Sequence, residues 1–83
     1  MAVYSAIISC RVMRLRQIFA ANLRAIRNAK GLSQEDLADL AEIDRTYVSS
    51  LERCEYSASL DVVERIAIAL KVDASILLHS EEN

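Results

Sequence analysis

The 83-residue chain has room for one domain with a single modest core. One Gly, no Pro and 53% hydrophobic residues favour helix and leave little for hairpins, which need Gly, Asn or Asp at their turns. The net charge of −2 argues against a nucleic-acid partner, but its distribution argues the other way: residues 1–30 carry six basic side chains and no acid, and residues 31–83 carry four basic and twelve acidic ones.

No stretch approaches the roughly 18 apolar residues of a membrane span. The opening MAVYSAIISC lacks a basic n-region and has too short an apolar run for a secretory signal. A cytoplasmic protein with no membrane partner is expected. Cys10 and Cys54 form no C-x-x-C pair, and His79 is the only histidine. No zinc site, other metal site or cofactor is therefore expected, and both cysteines are read as free thiols.

In chain order, residues 1–12 are β-branched and almost uncharged, which suits either a strand or a helical extension. Residues 1–13 are set apart as an N-terminal extension (arm or helix extension), followed by a domain over 14–79 and a frayed tail over 80–83. The first helix is predicted from Arg14 to Ala29. Leu15, Ile18, Phe19, Asn22, Leu23 and Ile26 form its stripe, and Gly31 ends it in a left-handed conformation. The second starts at Ser33 as N-cap, with Asp36 placed to complete a capping box. Leu37, Leu40 and Ala41 are predicted to face inward, and the helix stops near Glu42.

The third helix is capped by Asp44. Tyr47, Val48 and Leu51 share its inner side, and Arg45, Thr46, Ser49, Ser50 and Arg53 spread over the other. The fourth runs from its Ser59 cap to about Lys71, with Leu60, Val63, Ile66, Ala67 and Leu70 as the buried stripe and Ile68 alone on the polar side. The last is short, capped by Asp73, with Ile76, Leu77 and Leu78 as its apolar residues. Five short helices with tight links predict an all-α, compact bundle.

Between the second and third helices stand only about three residues, Glu42, Ile43 and Asp44. A link this short between two capped helices reads as a helix-turn-helix. In such a pair the first helix crosses the phosphate backbone and the second lies in the major groove, reading base edges from its N-terminal residues. The polar side of the third helix has suitable chemistry. Arg45 can donate two bonds to guanine, the Thr46 methyl can pack on thymine, and Ser49 and Ser50 are short enough for close approach. Arg53, Tyr56, Ser57 and Ser59 follow where phosphates would lie, and Ser33 and Gln34 stand at a helix N-terminus suited to an anion.

The segment NLRAIRNAKGLSQEDLADLAEIDRTYVSSLER, followed by SLDVVERIAIAL, resembles the Cro/C1-type (phage-repressor-like) helix-turn-helix family over about residues 15–78. The resemblance rests on L-S-Q-E-x-L-A, I-D-R-T-Y-V-S, L-E-R and S-L-x-x-x-x-x-I-A-x-A-L. DRTYVSSLER before a polar loop is also similar to the small controller proteins of restriction–modification systems. The resemblance implies a five-helix, lambda-repressor-like domain that binds double-stranded DNA and regulates transcription. It assigns Arg45, Thr46, Ser49 and Ser50 to base contacts, with Tyr47 also reaching DNA. It gives Gln34 a phosphate contact and a buttressing role, and makes Arg27 and Glu52 a structural pair. A homodimer on a two-fold operator is expected, with Ile68, Ile76, Leu77 and Leu78 as interface residues helped by Val3, Ile7 and Ile8. RNA polymerase or a toxin would be further partners. The alternative is an antitoxin-type protein-binding module that also represses its own promoter.

The chain departs from the family pattern at Cys54 and Glu42, where Gly is usual, and in a loop (CEYSAS) lacking Asn and basic residues. A different end to the third helix is expected from Cys54. No nucleophile–base pair, carboxylate cluster or Gly-rich loop is present, so no catalytic activity is expected.

Overall fold

The computed structural model describes the backbone of residues 2–80 and the side chains of residues 15–80. Five helices follow in order: α1 Ala2–Ala29, α2 Gln34–Ala41, α3 Arg45–Glu52, α4 Leu60–Leu70 and α5 Ala74–Leu77. Among the described residues there is no strand.

The open question at the N-terminus resolves as helix. No Gly or Pro interrupts the chain before Gly31, and adding residues to an existing helix is easier than nucleating a new element. At about 1.5 Å per residue, α1 is about 42 Å long. The molecule measures 44 × 24 × 19 Å, so α1 sets its long axis and its N-terminal turns reach past the bundle. The side chains of Val3, Ile7, Ile8 and Cys10 lie outside the described residues. Among the described residues no helix is long and apolar enough to cross a membrane.

The core joins Phe19 and Leu23 of α1, Leu37, Ala38 and Ala41 of α2, Val48 and Leu51 of α3, Val63, Ile66, Ala67 and Leu70 of α4, and Leu77 of α5. α2 packs on α3 and α4, α1 on α3 and α5, and α4 on α5. Two expected core residues are not there: Leu40 is 57% exposed and Leu60 is 82% exposed. At about 100° per residue, Leu37, Ala38 and Ala41 share one arc and Leu40 falls outside it. Leu60 is the first residue of α4, where no neighbouring helix covers it. Leu15, placed in the α1 stripe, is also exposed rather than packed in the core.

The predicted caps form at three of four sites. The Ser33 hydroxyl accepts from the Asp36 amide at 2.9 Å while the Asp36 carboxylate accepts from the Ser33 amide at 3.0 Å. Asp44 accepts from the Thr46 amide at 2.7 Å, and Ser59 from the Val62 amide at 3.1 Å. Asp73 holds the N-cap position of α5, but its side chain makes no capping bond. α5 is secured at its other end. The Asn22 amide donates to the carbonyls of Leu77 and His79, each at 2.9 Å, and to that of Ile76 at 3.3 Å. The polar member of the α1 stripe thus satisfies carbonyls that a short helix leaves orphaned.

Four helices end in one way. The amides of Leu32, Ile43, Glu55 and Val72 reach back five residues to the carbonyls of Arg27, Ala38, Ser50 and Ala67, at 3.1, 3.0, 2.9 and 3.0 Å. Each closure puts the preceding residue at positive φ: Gly31 (71°), Glu42 (61°), Cys54 (64°) and Lys71 (61°). So α3 does not end differently at Cys54. The αL geometry that Gly would adopt freely is imposed on Cys, because the closing bonds outweigh its steric cost of about 1–2 kcal/mol. After three of the four, the next residue (Leu32, Ile43 or Val72) packs on the core, but after α3 it is the exposed Glu55. The end of α3 is therefore the least firmly locked. Cys54→Gly is expected to raise stability by about 0.5–1 kcal/mol, seen as a higher urea midpoint, because relief of strain exceeds the added freedom of the unfolded chain. A lower midpoint would show that the Cys54 side chain contributes packing that outweighs its strain.

Candidate nucleic-acid interface

α2 and α3 are eight residues each, joined through Glu42, Ile43 and Asp44. Three bonds set the turn. Ile43 and Glu42 close α2 on Ala38 and Asp39, and Arg65 of α4 donates to the Glu42 carbonyl at 3.2 Å. Arg65 thus ties α4 to the turn between α2 and α3. Its reach of 23 residues along the chain is a tertiary fact with no local signal.

The outer side of α3 is narrower than its polarity suggested. Arg45, Thr46 and Arg53 are exposed and Ser49 is half-buried. At 100° per residue these four fall in one stripe. Ser50 does not belong to it: it is 5% exposed and sits behind the stripe. This corrects its assignment to the base-contacting set. Arg45 takes no hydrogen bond or ion pair among the described residues, so its fork is free for a ligand. Tyr47 packs its ring on the core from a half-buried position.

Behind this stripe lies a buried charge. The Glu52 side chain has no exposed surface, and Arg27 keeps 11%. Arg27 Nε donates to Glu52 Oε2 at 2.6 Å and its Nη2 to Oε1 at 3.0 Å, while its Nη1 donates to the Leu32 carbonyl at 2.8 Å. Gln34 Nε2 adds a bond to Oε1 at 3.0 Å, and Arg24 Nε lies 3.5 Å from the same oxygen. The Arg27–Glu52 pair was expected; the Arg24 contact was not. Arg24 sits one turn before Arg27 on nearly the same face, which was the available signal. Gln34 does buttress α3, through Glu52.

Burial pushes the Glu52 carboxyl up. Hydrogen bonds from Arg27 and Gln34, with the charges of Arg27 and Arg24, outweigh it and hold the group below its ordinary 4.5. The hydrogen bond and charge of Glu52 hold Arg27 above its ordinary value against burial.

The expected phosphate residues are divided between the N-terminus of α2 and the segment that follows α3. Gln34 reaches the end of α3 through Glu52, and Arg53, Tyr56, Ser57 and Ser59 follow α3 in the chain. Tyr56 is 59% exposed, and Ser33, Ser57 and Ser59 are exposed. The Ser33 and Ser59 oxygens are used as caps, yet each hydroxyl proton remains free to donate. Arg53 is engaged. Its Nε and Nη2 donate to Glu55 at 3.1 and 3.0 Å, and its Nη1 donates to the Ser49 hydroxyl. Glu55 is held below its ordinary value mainly by the hydrogen bond from Arg53, then by the charge of Arg53, with a further bond from Ser50. Sequence reasoning noted that this loop lacks basic residues, but did not see that its one acid occupies Arg53.

The expected interface residues divide. Ile68 is 70% exposed and Ile76 49% exposed, and Leu78 is half-buried. Leu77 is fully buried in the protomer's own core, which corrects its assignment to a dimer surface. Cys54 is a free, half-buried thiol. Among the described residues no group of His, Cys, Asp or Glu is arranged to hold a metal.

Residues 23–77, which contain the α2–turn–α3 unit and its buttresses, match a family described as helix-turn-helix. The chain belongs to the helix-turn-helix family of DNA-binding transcriptional regulators. It is 47% identical over 64 residues to the "Neisseria hypothetical transcription factor" of Neisseria meningitidis serogroup B, a match that takes in 77% of this chain but 60% of that protein. It is 39% identical over 66 residues to "Control protein C.SmaI" of Serratia marcescens, covering 80% of this chain and 79% of that one. The crystal structure of the restriction–modification controller protein C.AhdI from Aeromonas hydrophila superposes with a TM-score of 0.73 at 42% identity, over 75% of this chain and 94% of that one. These relatives of the helix-turn-helix protein are regulators rather than enzymes.

Glu52→Ala is expected to destabilise this helix-turn-helix domain by about 3–5 kcal/mol, because it leaves Arg27 charged and unpaired. An Arg27→Met, Glu52→Leu double variant should recover much of that loss. Because the folded Glu52 value is depressed, its contribution is complete above pH 4.5 and is lost as pH falls through the folded value. Urea titrations between neutral and acidic pH should therefore show a shallower acid-side decline in Glu52→Gln than in the wild type. Parallel declines would show that other carboxylates dominate.

Proposed function

We propose that the chain is a sequence-specific transcriptional regulator of the restriction–modification controller kind, acting in the cytoplasm as a homodimer on a two-fold operator. The observation that carries the reading is the exposed α3 stripe of Arg45, Thr46 and Ser49, with the Arg45 fork unengaged. α3 enters the major groove. Arg45 pairs with a guanine edge, Thr46 offers a methyl and a hydroxyl to a neighbouring base, and Ser49 permits close approach. Tyr47 reaches the groove edge from its half-buried position.

Ser33, Gln34, Tyr56, Ser57 and Ser59 supply neutral donors to flanking phosphates, and Arg53 supplies charge once freed from Glu55. One headpiece makes few base contacts, so two copies on half-sites about 34 Å apart are needed for useful affinity. Leu60 and Ile68 of α4, Ile76 of α5 and the half-buried Leu78 that follows it are apolar residues available for that association.

Two measurements test this. On DNA from the region upstream of its own gene, Arg45→Ala is expected to lose about 1–3 kcal/mol of specific binding, with log K falling as log salt rises. Equal, weak binding of both proteins to any DNA would overturn the base-reading role. Glu55→Gln is expected to tighten binding about two- to fivefold and to steepen the salt dependence, because it releases the Arg53 charge. Weaker binding by that variant would show that the Arg53–Glu55 pair presents Arg53 to DNA rather than withholding it.

A further inference from the structure

We propose that Arg24 of α1 binds the DNA backbone, taking a phosphate at the hollow between α1 and the C-terminal end of α3. This rests on the reading above that α3 meets DNA, and it adds α1 to the surface that does so. The hollow, about 450 Å³, is lined by Gln17, Arg24 and Asn28 along one face of α1 and by Arg53 at the end of α3. Gln17, Arg24 and Asn28 are seven and four residues apart, so they stand in one row on the helix. Beside that row α1 carries only Ala20, Ala21 and Ala25 into the hollow, which leaves it open.

Glu52 is hydrogen-bonded without Arg24. Its Oε2 accepts from Arg27 Nε at 2.6 Å, and its Oε1 from Arg27 Nη2 and Gln34 Nε2, each at 3.0 Å. Arg24 Nε stands 3.5 Å from Oε1, close enough for charge attraction but too far for a good hydrogen bond. The Arg24 side chain is 56% exposed and that of Arg27 11% exposed. Arg27 spends Nε, Nη1 and Nη2 inside the protein, and Arg53 spends its own on Glu55 and Ser49. Arg24 makes no hydrogen bond among the described residues. Of the three arginines around Glu52 and the end of α3, it is the one whose terminal nitrogens are available.

Position is the second argument. The proposed phosphate donors form two groups, Ser33 and Gln34 at the start of α2, and Arg53 with the segment after α3. Arg24 joins them: it shares Glu52 Oε1 with Gln34 and the hollow with Arg53. A nucleic-acid backbone crossing from one group to the other passes the Arg24 fork. A guanidinium holds phosphate oxygens through two parallel bonds, and the exposed amides of Gln17 and Asn28 can donate alongside it. Glu52 then acts on DNA indirectly. Its attraction for Nε keeps the long Arg24 side chain beside α3 and leaves Nη1 and Nη2 unbonded.

Binding of the full chain to the upstream duplex and to an unrelated duplex, each over a range of salt, tests the assignment. Arg24→Gln is expected to weaken both about five- to tenfold at about 0.1 M salt. It should also reduce the slope of log K against log salt by about 0.9 for each protomer bound. Preference for the upstream site should survive, which separates Arg24 from Arg45. Arg24→Lys should keep the wild-type slope. Lys71→Gln, which removes the same charge at the end of α4, should change neither quantity. A purely structural role for Arg24 would lower the urea midpoint of Arg24→Gln and leave the slope as it is, and that result would overturn the inference. So would an equal loss of slope in Lys71→Gln, which would make the effect one of net charge. An Arg24 Nε–H signal moved as far by millimolar inorganic phosphate as by DNA would assign the hollow to a free phosphoanion and overturn the backbone contact. A wild type with neither salt dependence nor preference for the upstream site would overturn the α3 reading itself. A wild type with both, beside an unchanged Arg24→Gln, would overturn this inference alone.

Discussion

Glu52 is a charged group with no exposed side-chain surface, and the placement of α3 depends on how that charge is satisfied. Arg27 reaches it from α1, Gln34 from the N-terminus of α2 and Arg24 from a more exposed position. Taking a carboxylate out of water costs several kcal/mol, and only converging donors offset it. The helices that supply them are therefore held to a narrow range of positions. A hydrophobic cluster of similar volume would hold the domain together as well, but would tolerate sliding. A directional, multiply bonded carboxylate tolerates little. On this account Glu52 contributes geometry more than net stability: it fixes the angle at which the α3 stripe leaves the protein surface.

The second constraint is brevity. α2 and α3 have two turns each and α5 has one, too short to be stable alone. Links of a few residues turn the chain sharply while keeping helix-end carbonyls bonded. The left-handed closure at Gly31, Glu42, Cys54 and Lys71 does this four times, and three of those positions carry a side chain that resists it. The strain is tolerated because the residue after the closure, at Leu32, Ile43 and Val72, is anchored in the core. Glu55 after α3 lacks that anchor and holds Arg53 instead. The end of α3 is thus closed without a core anchor, and the guanidinium of Arg53 is engaged there by Glu55. Both properties come from one departure in the loop.

How far these features could be read in the sequence follows from the range of each interaction. Capping at Ser33, Asp44 and Ser59 was legible because the chemistry spans two or three residues. The inner positions of α3 and α4 were legible because they recur with the helical period. What was misread depends on neighbours. Ser50 looked like part of a reading face because it is polar, yet the side it occupies is covered. Leu40 and Leu60 looked like core because they are apolar, yet no helix lies over them. Leu77 looked like an interface residue because α5 is terminal, yet it fills the protomer's own centre. Asn22 carried a usable clue: an amide within an apolar stripe needs partners, and orphaned carbonyls at a short helix end are suitable ones. Arg65 on the α2–α3 turn carried none. The resemblance to known regulators supplied the roles of Arg27, Glu52 and Gln34, which composition and periodicity alone would have left as polar surface residues.

The central claim is that the α3 stripe, held by Glu52, is the surface that meets base edges. The most direct test follows backbone amide and arginine Nε–H signals by NMR while a duplex from the upstream region is titrated in. The account predicts large shifts at Arg45, Thr46 and Ser49. Smaller shifts are expected at Ser33, Gln34 and Tyr56, and the Arg27 Nε–H should stay close to its free position because Glu52 keeps it. Shifts centred on α4 and α5, with Arg45 unmoved, would contradict it and transfer the binding surface to the opposite side of the domain.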